Sequence, residues 1–73
     1  MQISARNTLR GRVTSLKLGE VETEVTLQIE GGAEITATIS RASAERLALA
    51  GGKEAYAVVK ASDVMIAVDD PGR

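Results

Sequence analysis

Three short segments of this chain carry hydroxyl, guanidinium and ammonium groups in combinations that suit the binding of a small oxyanion. The candidate ligands are Ser4 and Arg6 near the start, Ser40 and Ser43 in the middle, and Lys60, Ala61 and Ser62 near the end. A tetrahedral dianion needs hydroxyl and backbone N–H donors together with one or two fixed positive charges. Arg6 supplies a permanent charge with several donors, and Lys60 supplies a compact ammonium. These residues predict an oxyanion site.

The two central serines have a second interpretation, which the spacing leaves open. Ser40 and Ser43 stand at the predicted start of a helix, where first-turn N–H groups have no internal partner and favour an anion. Serine is equally a preferred N-cap residue, so both could have a purely structural role. In the same way, Arg6 and Lys60 could be solvated surface charges or members of weak ion pairs.

The composition argues against catalysis and against a metal site. The 73 residues include no Cys and no His, so the thiolate and imidazole ligands of most transition-metal sites are absent. The commonest general base is absent for the same reason. Four of the glutamates could supply a carboxylate pair for acid–base chemistry, but each falls on the polar face of a predicted hairpin: Glu22, Glu24, Glu30 and Glu34. We therefore expect neither an enzyme nor a metal-ion site.

Charge and aromatic content argue against a nucleic-acid partner. The formal net charge is −1, with nine basic and ten acidic residues mixed along the chain, which gives no broad basic field. Single-strand binders stack bases on several aromatic rings, whereas this chain has only Tyr56. No apolar run approaches the ~20 residues of a membrane span, and no signal-peptide pattern precedes the first motif. We expect a cytoplasmic protein with no membrane partner.

The hydrophobic pattern predicts three strands in the first half of the chain. Residues 21–29 alternate strictly between apolar and polar positions, which indicates a strand with one buried face. An earlier strand runs from Leu9 to Leu18, and its alternation slips between Val13 and Leu16, which a β-bulge or a bend would explain. Two glycines at 31–32 predict a hairpin turn before a third strand over 35–39.

The second half predicts one helix and two more strands. Residues 41–50 contain no β-branched residue, are rich in Ala and Leu, and precede two glycines, which favours a short helix. Residues 55–59 and 64–68 are nearly continuous apolar runs, typical of strands covered on both faces. A chain this short buries only about 60% of its unfolded surface, so we expect a partner chain to cover them.

Five strands with one short helix between the third and fourth are the element order of an OB-type barrel. We therefore expect an all-β fold, a small five-stranded Greek-key barrel of the OB type. A small sandwich or another SH3-like barrel is the alternative. Residues 1–68 are expected to form a single domain, followed by a polar tail over 69–73.

Taken together, these motifs resemble those of the molbindins. The resemblance covers about residues 2–68 and rests mainly on the Ser4-Ala5-Arg6-Asn7 opening paired with the Lys60-Ala61-Ser62 closing. Ser40-x-x-Ser43 adds to it, although relatives often have Thr at the position of Ser40. Molbindins are small molybdate-binding domains, also found in molybdate-responsive regulators and in transport ATPases.

The resemblance implies an OB-like barrel that exchanges a strand within a dimer, and a hexamer built as a trimer of dimers. It implies that the oxyanion lies between subunits and that its ligands are the seven candidate residues: Ser4, Arg6, Ser40, Ser43, Lys60, Ala61 and Ser62. The implied function is cytoplasmic storage of molybdate or tungstate by reversible, non-covalent binding, with no covalent cofactor. The alternative is an OB-type module that binds nucleic acid or a protein through its basic side chains.

Overall fold

The structure is a computed structural model that describes residues 2–70. Its elements are β1 (Asn7–Leu18), β2 (Glu22–Ile29), β3 (Glu34–Ser40), α1 (Arg41–Arg46), β4 (Glu54–Val59) and a 3₁₀ turn (Ala61–Asp63). The four strands form one antiparallel sheet in the order β3-β2-β1-β4. The predicted all-β class, with one short helix between the third and fourth strands, is confirmed.

β1 is the central strand and pairs on both sides. Its second half pairs with β2, its first half pairs with β4, and the β2 ladder shifts register between Val13 and Ser15. This shift confirms the predicted β-bulge, which bends the strand. Gly11 lies where the two ladders overlap, and a Cβ there would stand 2.5 Å from the carbonyl oxygen of Gln28. The close approach of the backbones therefore requires glycine at this position.

The core is small and follows the predicted alternation of β2. Its buried cluster consists of Val13, Val25 and Leu27, and six partly buried residues pack against it: Leu16, Ile29, Ile39, Leu49, Ala55 and Ala57. Thr23 lies on the same face and is fully buried. One sheet face is thus apolar, but a single chain covers only part of it.

The helix is shorter than predicted, because α1 ends at Arg46 rather than near residue 50. The chain then makes a Schellman turn, in which Ala48 N–H donates to the Glu45 carbonyl at 3.0 Å and Leu49 N–H donates to the Ala44 carbonyl at 3.1 Å. Ala48 takes the left-handed conformation of this motif, with φ 52°. A stop at this point was not visible in the sequence, because the motif usually places glycine where Ala48 stands.

The predicted fifth strand is not formed within the single chain, which corrects the expected strand count. Residues 64–68 follow the 3₁₀ turn without strand pairing, and Met65, Ile66 and Val68 are 86–93% exposed. The sheet therefore stays open, with β3 and β4 as its two edges. The physical reason is that one short chain has too little protein to cover this apolar segment on both faces, as its sequence indicated.

The single chain also exposes more surface than a compact domain of its size. Its accessible surface is 5893 Å², whereas a folded monomer of 7.6 kDa exposes about 4,300 Å². Its radius of gyration is 14.4 Å, compared with about 11 Å for a compact chain of this length. No helix within residues 2–70 is long and apolar enough to cross a membrane. Residues 71–73 of the predicted polar tail lie outside the described residues.

Candidate oxyanion-binding site

The ladder between β1 and β4 places the opening and closing motifs side by side. Its last pair is Asn7 with Val59, and the Asn7 side-chain amide also donates to the Val59 carbonyl at 3.2 Å. Arg6 immediately precedes this pair and Lys60 immediately follows it, so the two cations leave the sheet on adjacent strands. Segments separated by more than fifty positions thus meet at one end of the sheet.

The turn after β4 supplies backbone donors next to these cations. The Asp63 N–H donates to the Lys60 carbonyl at 2.9 Å, and the Val64 N–H donates to the Ala61 carbonyl at 3.3 Å. A 3₁₀ turn closed by these bonds leaves its first N–H groups, those of Ala61 and Ser62, without an internal acceptor. They can therefore bind an anion together with the Ser62 hydroxyl.

The charges of this half of the site are not neutralised within the part of the chain that the structure describes. The ion pairs within residues 2–70 involve Arg10, Lys17 and Arg41, and neither Arg6 nor Lys60 takes part in one. Both of these side chains are exposed. Two adjacent, unpaired cations favour a dianion over a neutral ligand at this end of the sheet.

The serines at the start of α1 form a compact hydrogen-bond network. Ser40 is the N-cap, and its Oγ accepts from the Ser43 N–H at 3.0 Å while donating to the Ser43 Oγ at 2.9 Å. The Ser43 Oγ also accepts from Arg46 Nη2 at 3.5 Å. The structural role predicted for Ser40 is therefore present, and Ser43 is half-buried beside it.

Within one chain, the structure does not bring these serines close to Arg6 and Lys60. Ser40 ends β3 opposite Glu22, and the neighbouring pair, Thr23 with Leu18, marks the far end of β1. Arg6 precedes the other end of that strand, and twelve strand residues span about 36 Å. The seven candidate residues thus form two halves, one at each end of β1, with Ser4, Arg6, Lys60, Ala61 and Ser62 in the first half and Ser40 and Ser43 in the second.

Arg46 was not among the seven predicted site residues, although its side chain contacts Ser43. It stands three positions after Ser43, the spacing that puts two residues on one face of a helix. This spacing was the one signal in the sequence that could have drawn attention to it. By contrast, Arg10 lines a cleft of about 330 Å³ but is engaged by Glu54 at 3.1 Å and by Glu30 at 3.9 Å.

Comparison with known proteins decides the family. The family model of the TOBE domain matches residues 3–66. The chain belongs to the TOBE domain family. This TOBE domain is 54% identical, over 66 residues, to molybdenum-pterin-binding protein 2 of Clostridium pasteurianum, which covers 90% of this chain and 97% of that protein. The resemblance to the molbindins is thereby confirmed.

Two solved structures share the fold of this TOBE domain. MopII from Clostridium pasteurianum superposes with a TM-score of 0.87 at 52% identity, over 92% of this chain and all of that one. ModG, a cytoplasmic molybdate-binding protein solved with molybdate bound, gives 0.85 at 43% identity, over 89% of this chain and 46% of that one. The OB-like fold expected from the sequence is therefore confirmed by solved relatives.

Proposed function

We propose that this protein binds and stores molybdate, or tungstate, as a free oxyanion through reversible, non-covalent contacts. The observation that carries the proposal is the β1–β4 register, which sets Arg6 beside Lys60 and brings the two most specific motif segments together. Two positive charges balance a dianion, and hydroxyl and backbone N–H groups orient its four oxygens. The relatives named for molybdenum or molybdate binding support this choice of ligand.

We further propose that the complete site forms only between subunits. The helix-side serines lie at one end of β1, and Arg6 and Lys60 lie at the other. In this proposal, each chain therefore contributes its two halves to two different sites. In this proposal, Ser40 and Ser43 of one subunit face Arg6 and Lys60 of another. Contacts from two chains enclose the anion and lower the local dielectric, which strengthens each charge-assisted bond.

The proposed assembly is a dimer that exchanges its last strand, within a hexamer formed as a trimer of dimers. An apolar groove of about 380 Å³ lies between the open sheet edges, lined in part by Val25, Leu27 and Ala57. The exposed segment 64–68 of another subunit is apolar and long enough to add a strand there. Strand addition would pair the free edges and cover both partners.

The proposed role involves no chemistry on the ion. Residues 2–70 contain no group of acidic side chains placed to hold a metal ion, and the chain has no Cys or His. We propose that binding is reversible because all contacts to the oxyanion are hydrogen bonds and ion pairs. A cytoplasmic setting is proposed from the similarity to ModG.

Calorimetric titration of the full chain with molybdate, with sulfate and phosphate as competitors, tests the function. We expect saturable binding that sulfate does not displace. We expect Arg6→Gln and Lys60→Gln each to weaken binding by about 3 kcal/mol, on the order of a hundredfold in Kd, because a desolvated dianion loses a charge partner. The matched controls are Arg12→Gln and Lys17→Gln, which remove the same charges from exposed positions elsewhere on β1.

The outcomes separate specific binding from a general charge effect. Equal weakening by the site variants and by their controls would show that net charge, not the site, attracts the anion. The absence of heat with both molybdate and tungstate would contradict the proposed function. It would favour the alternative of an OB-type module that binds a macromolecule.

A further inference from the structure

Arg46 is the cation in contact with the helix-side half of the proposed site. Its Nη2 donates to the Ser43 Oγ at 3.5 Å, and its side chain is otherwise exposed at the end of α1. Among the ion pairs of residues 2–70, none includes Arg46. A long contact to a hydroxyl is its one described side-chain hydrogen bond, so most of its donors are available to a ligand.

The hydrogen bonds around Ser43 determine what its hydroxyl can do. A serine hydroxyl has one donor position and two acceptor positions. The Ser43 oxygen accepts from the Ser40 hydroxyl and from Arg46, so both acceptor positions are filled. The Ser43 proton is not used in this network and is available to another acceptor. Ser43 is therefore held as a donor, which is what an oxyanion requires.

Of the charged side chains on α1, one lies outside the described ion pairs. Arg41 Nε lies 3.1 Å from a carboxylate oxygen of Glu45, so this pair is locally neutral. Ser40 and Ser43 carry no charge. The cation of α1 that remains outside these ion pairs is Arg46, three residues from Ser43.

We infer that Arg46 is a positioning residue for Ser43 and supplies a positive charge on the helix side of the oxyanion site. This inference rests on the proposed function. The guanidinium holds the Ser43 hydroxyl in its donating orientation and adds a third cation to those of Arg6 and Lys60. The added charge strengthens attraction of a dianion and makes binding more sensitive to salt.

The test measures molybdate affinity by calorimetry at low and high ionic strength for full-length variants. Arg46→Gln is expected to weaken binding about three- to tenfold at low salt and less at high salt, as for a partly exposed charge. Arg46→Lys keeps the charge and should recover part of the loss. Arg12→Gln removes an exposed arginine that donates to the Gly52 carbonyl, and it should leave the affinity unchanged.

A double-mutant cycle with Ser43→Ala provides a readout that a merely structural role would not move. If Arg46 acts through Ser43, the combined loss is smaller than the product of the two single losses. Thermal unfolding of each variant shows whether the fold persists. Additive losses together with no rescue by lysine would overturn the inference.

The experiment also separates this inference from the function on which it rests. Molybdate binding by the wild type that is lost in Arg6→Gln but unchanged in Arg46→Gln would overturn the role of Arg46 and leave the function intact. Equal losses in Arg46→Gln and Arg12→Gln would overturn it as well, since any surface arginine would then suffice. Failure of the wild type to bind molybdate would instead overturn the proposed function.

Discussion

Thr23 shows how a polar residue can occupy a core position without serving the site. It follows the alternation of β2, is fully buried, and its hydroxyl has no hydrogen-bond partner among the described residues. A buried hydroxyl without a partner costs about 1–3 kcal/mol in desolvation. The neighbouring core residues, Val25 and Leu27, pay no such cost. Thr23 is therefore a point where the hydroxyl reduces stability.

We expect Thr23→Val to raise the free energy of unfolding by about 1 kcal/mol, because valine keeps the shape and removes the unpaired hydroxyl. Thr23→Ser is the matched control, since it keeps the hydroxyl and loses a buried methyl group. It should destabilise the protein by a similar amount. Urea unfolding followed by circular dichroism measures both. Destabilisation by Thr23→Val would mean that the hydroxyl has a partner in the assembled protein.

The turn after α1 has two unusual features, a strained backbone conformation and a lysine that caps the helix end. Ala48 adopts a left-handed conformation with φ 52°, which a residue with a Cβ rarely takes. The Lys53 ammonium donates to the carbonyls of Leu47 and Ala48 at 2.7 and 3.2 Å and so pairs groups that the helix end leaves free. At the scale of the element, a side chain thus compensates for a turn that lacks glycine.

Ala48→Gly is expected to stabilise the protein by about 1 kcal/mol, because glycine adopts the left-handed conformation without strain. The control is Ala50→Gly, at a position whose φ is not positive, where added chain flexibility should be neutral or destabilising. Thermal melts of the two variants decide between them. Equal effects would show that strain at Ala48 contributes nothing.

The single chain leaves much of its apolar surface uncovered. It exposes about 1,600 Å² more surface than a compact monomer of its mass. Its exposed large apolar side chains include those of residues 64–68, a segment that pairs with no strand. Two chains that each lost this excess would bury about 3,200 Å² in total, which is the scale of an obligate interface. The open sheet edges, the apolar groove and the proposed division of the oxyanion site between subunits are all consistent with assembly. Assembly would remedy all of them together.

We expect Ile66→Lys to prevent assembly, because a charge in the exchanged segment cannot enter the apolar groove. Sedimentation velocity should show a multimer for the wild type and a smaller species for the variant. Val21→Lys is the control, since it makes the same change at an exposed turn position, where Val21 is 76% exposed. A wild type that sediments as a monomer, or a variant of unchanged mass, would contradict the proposed exchange.

The sequence by itself predicted the first four strands and the helix in their order, and it indicated the kind of ligand. Period-two alternation located β2, and the slip between Val13 and Leu16 located the bulge. Both follow because burial of one sheet face requires an apolar residue at every second position. The residue types around Arg6 and Lys60 indicated an anion, because charge and donor capacity are properties of side chains and need no fold.

Only the tertiary structure decided which of these residues meet. The β1–β4 register brought the positions of Arg6 and Lys60 to the same end of the sheet, while the β2–β3 register placed Ser40 at the other end. The contact of Arg46 with Ser43 likewise depends on the fold of α1. Pairing between distant strands depends on the packing of the whole sheet, whereas local patterns record only which face of an element is buried. For the same reason, the apolar pattern of residues 64–68 predicted a strand, but the structure shows no strand partner for this segment within one chain.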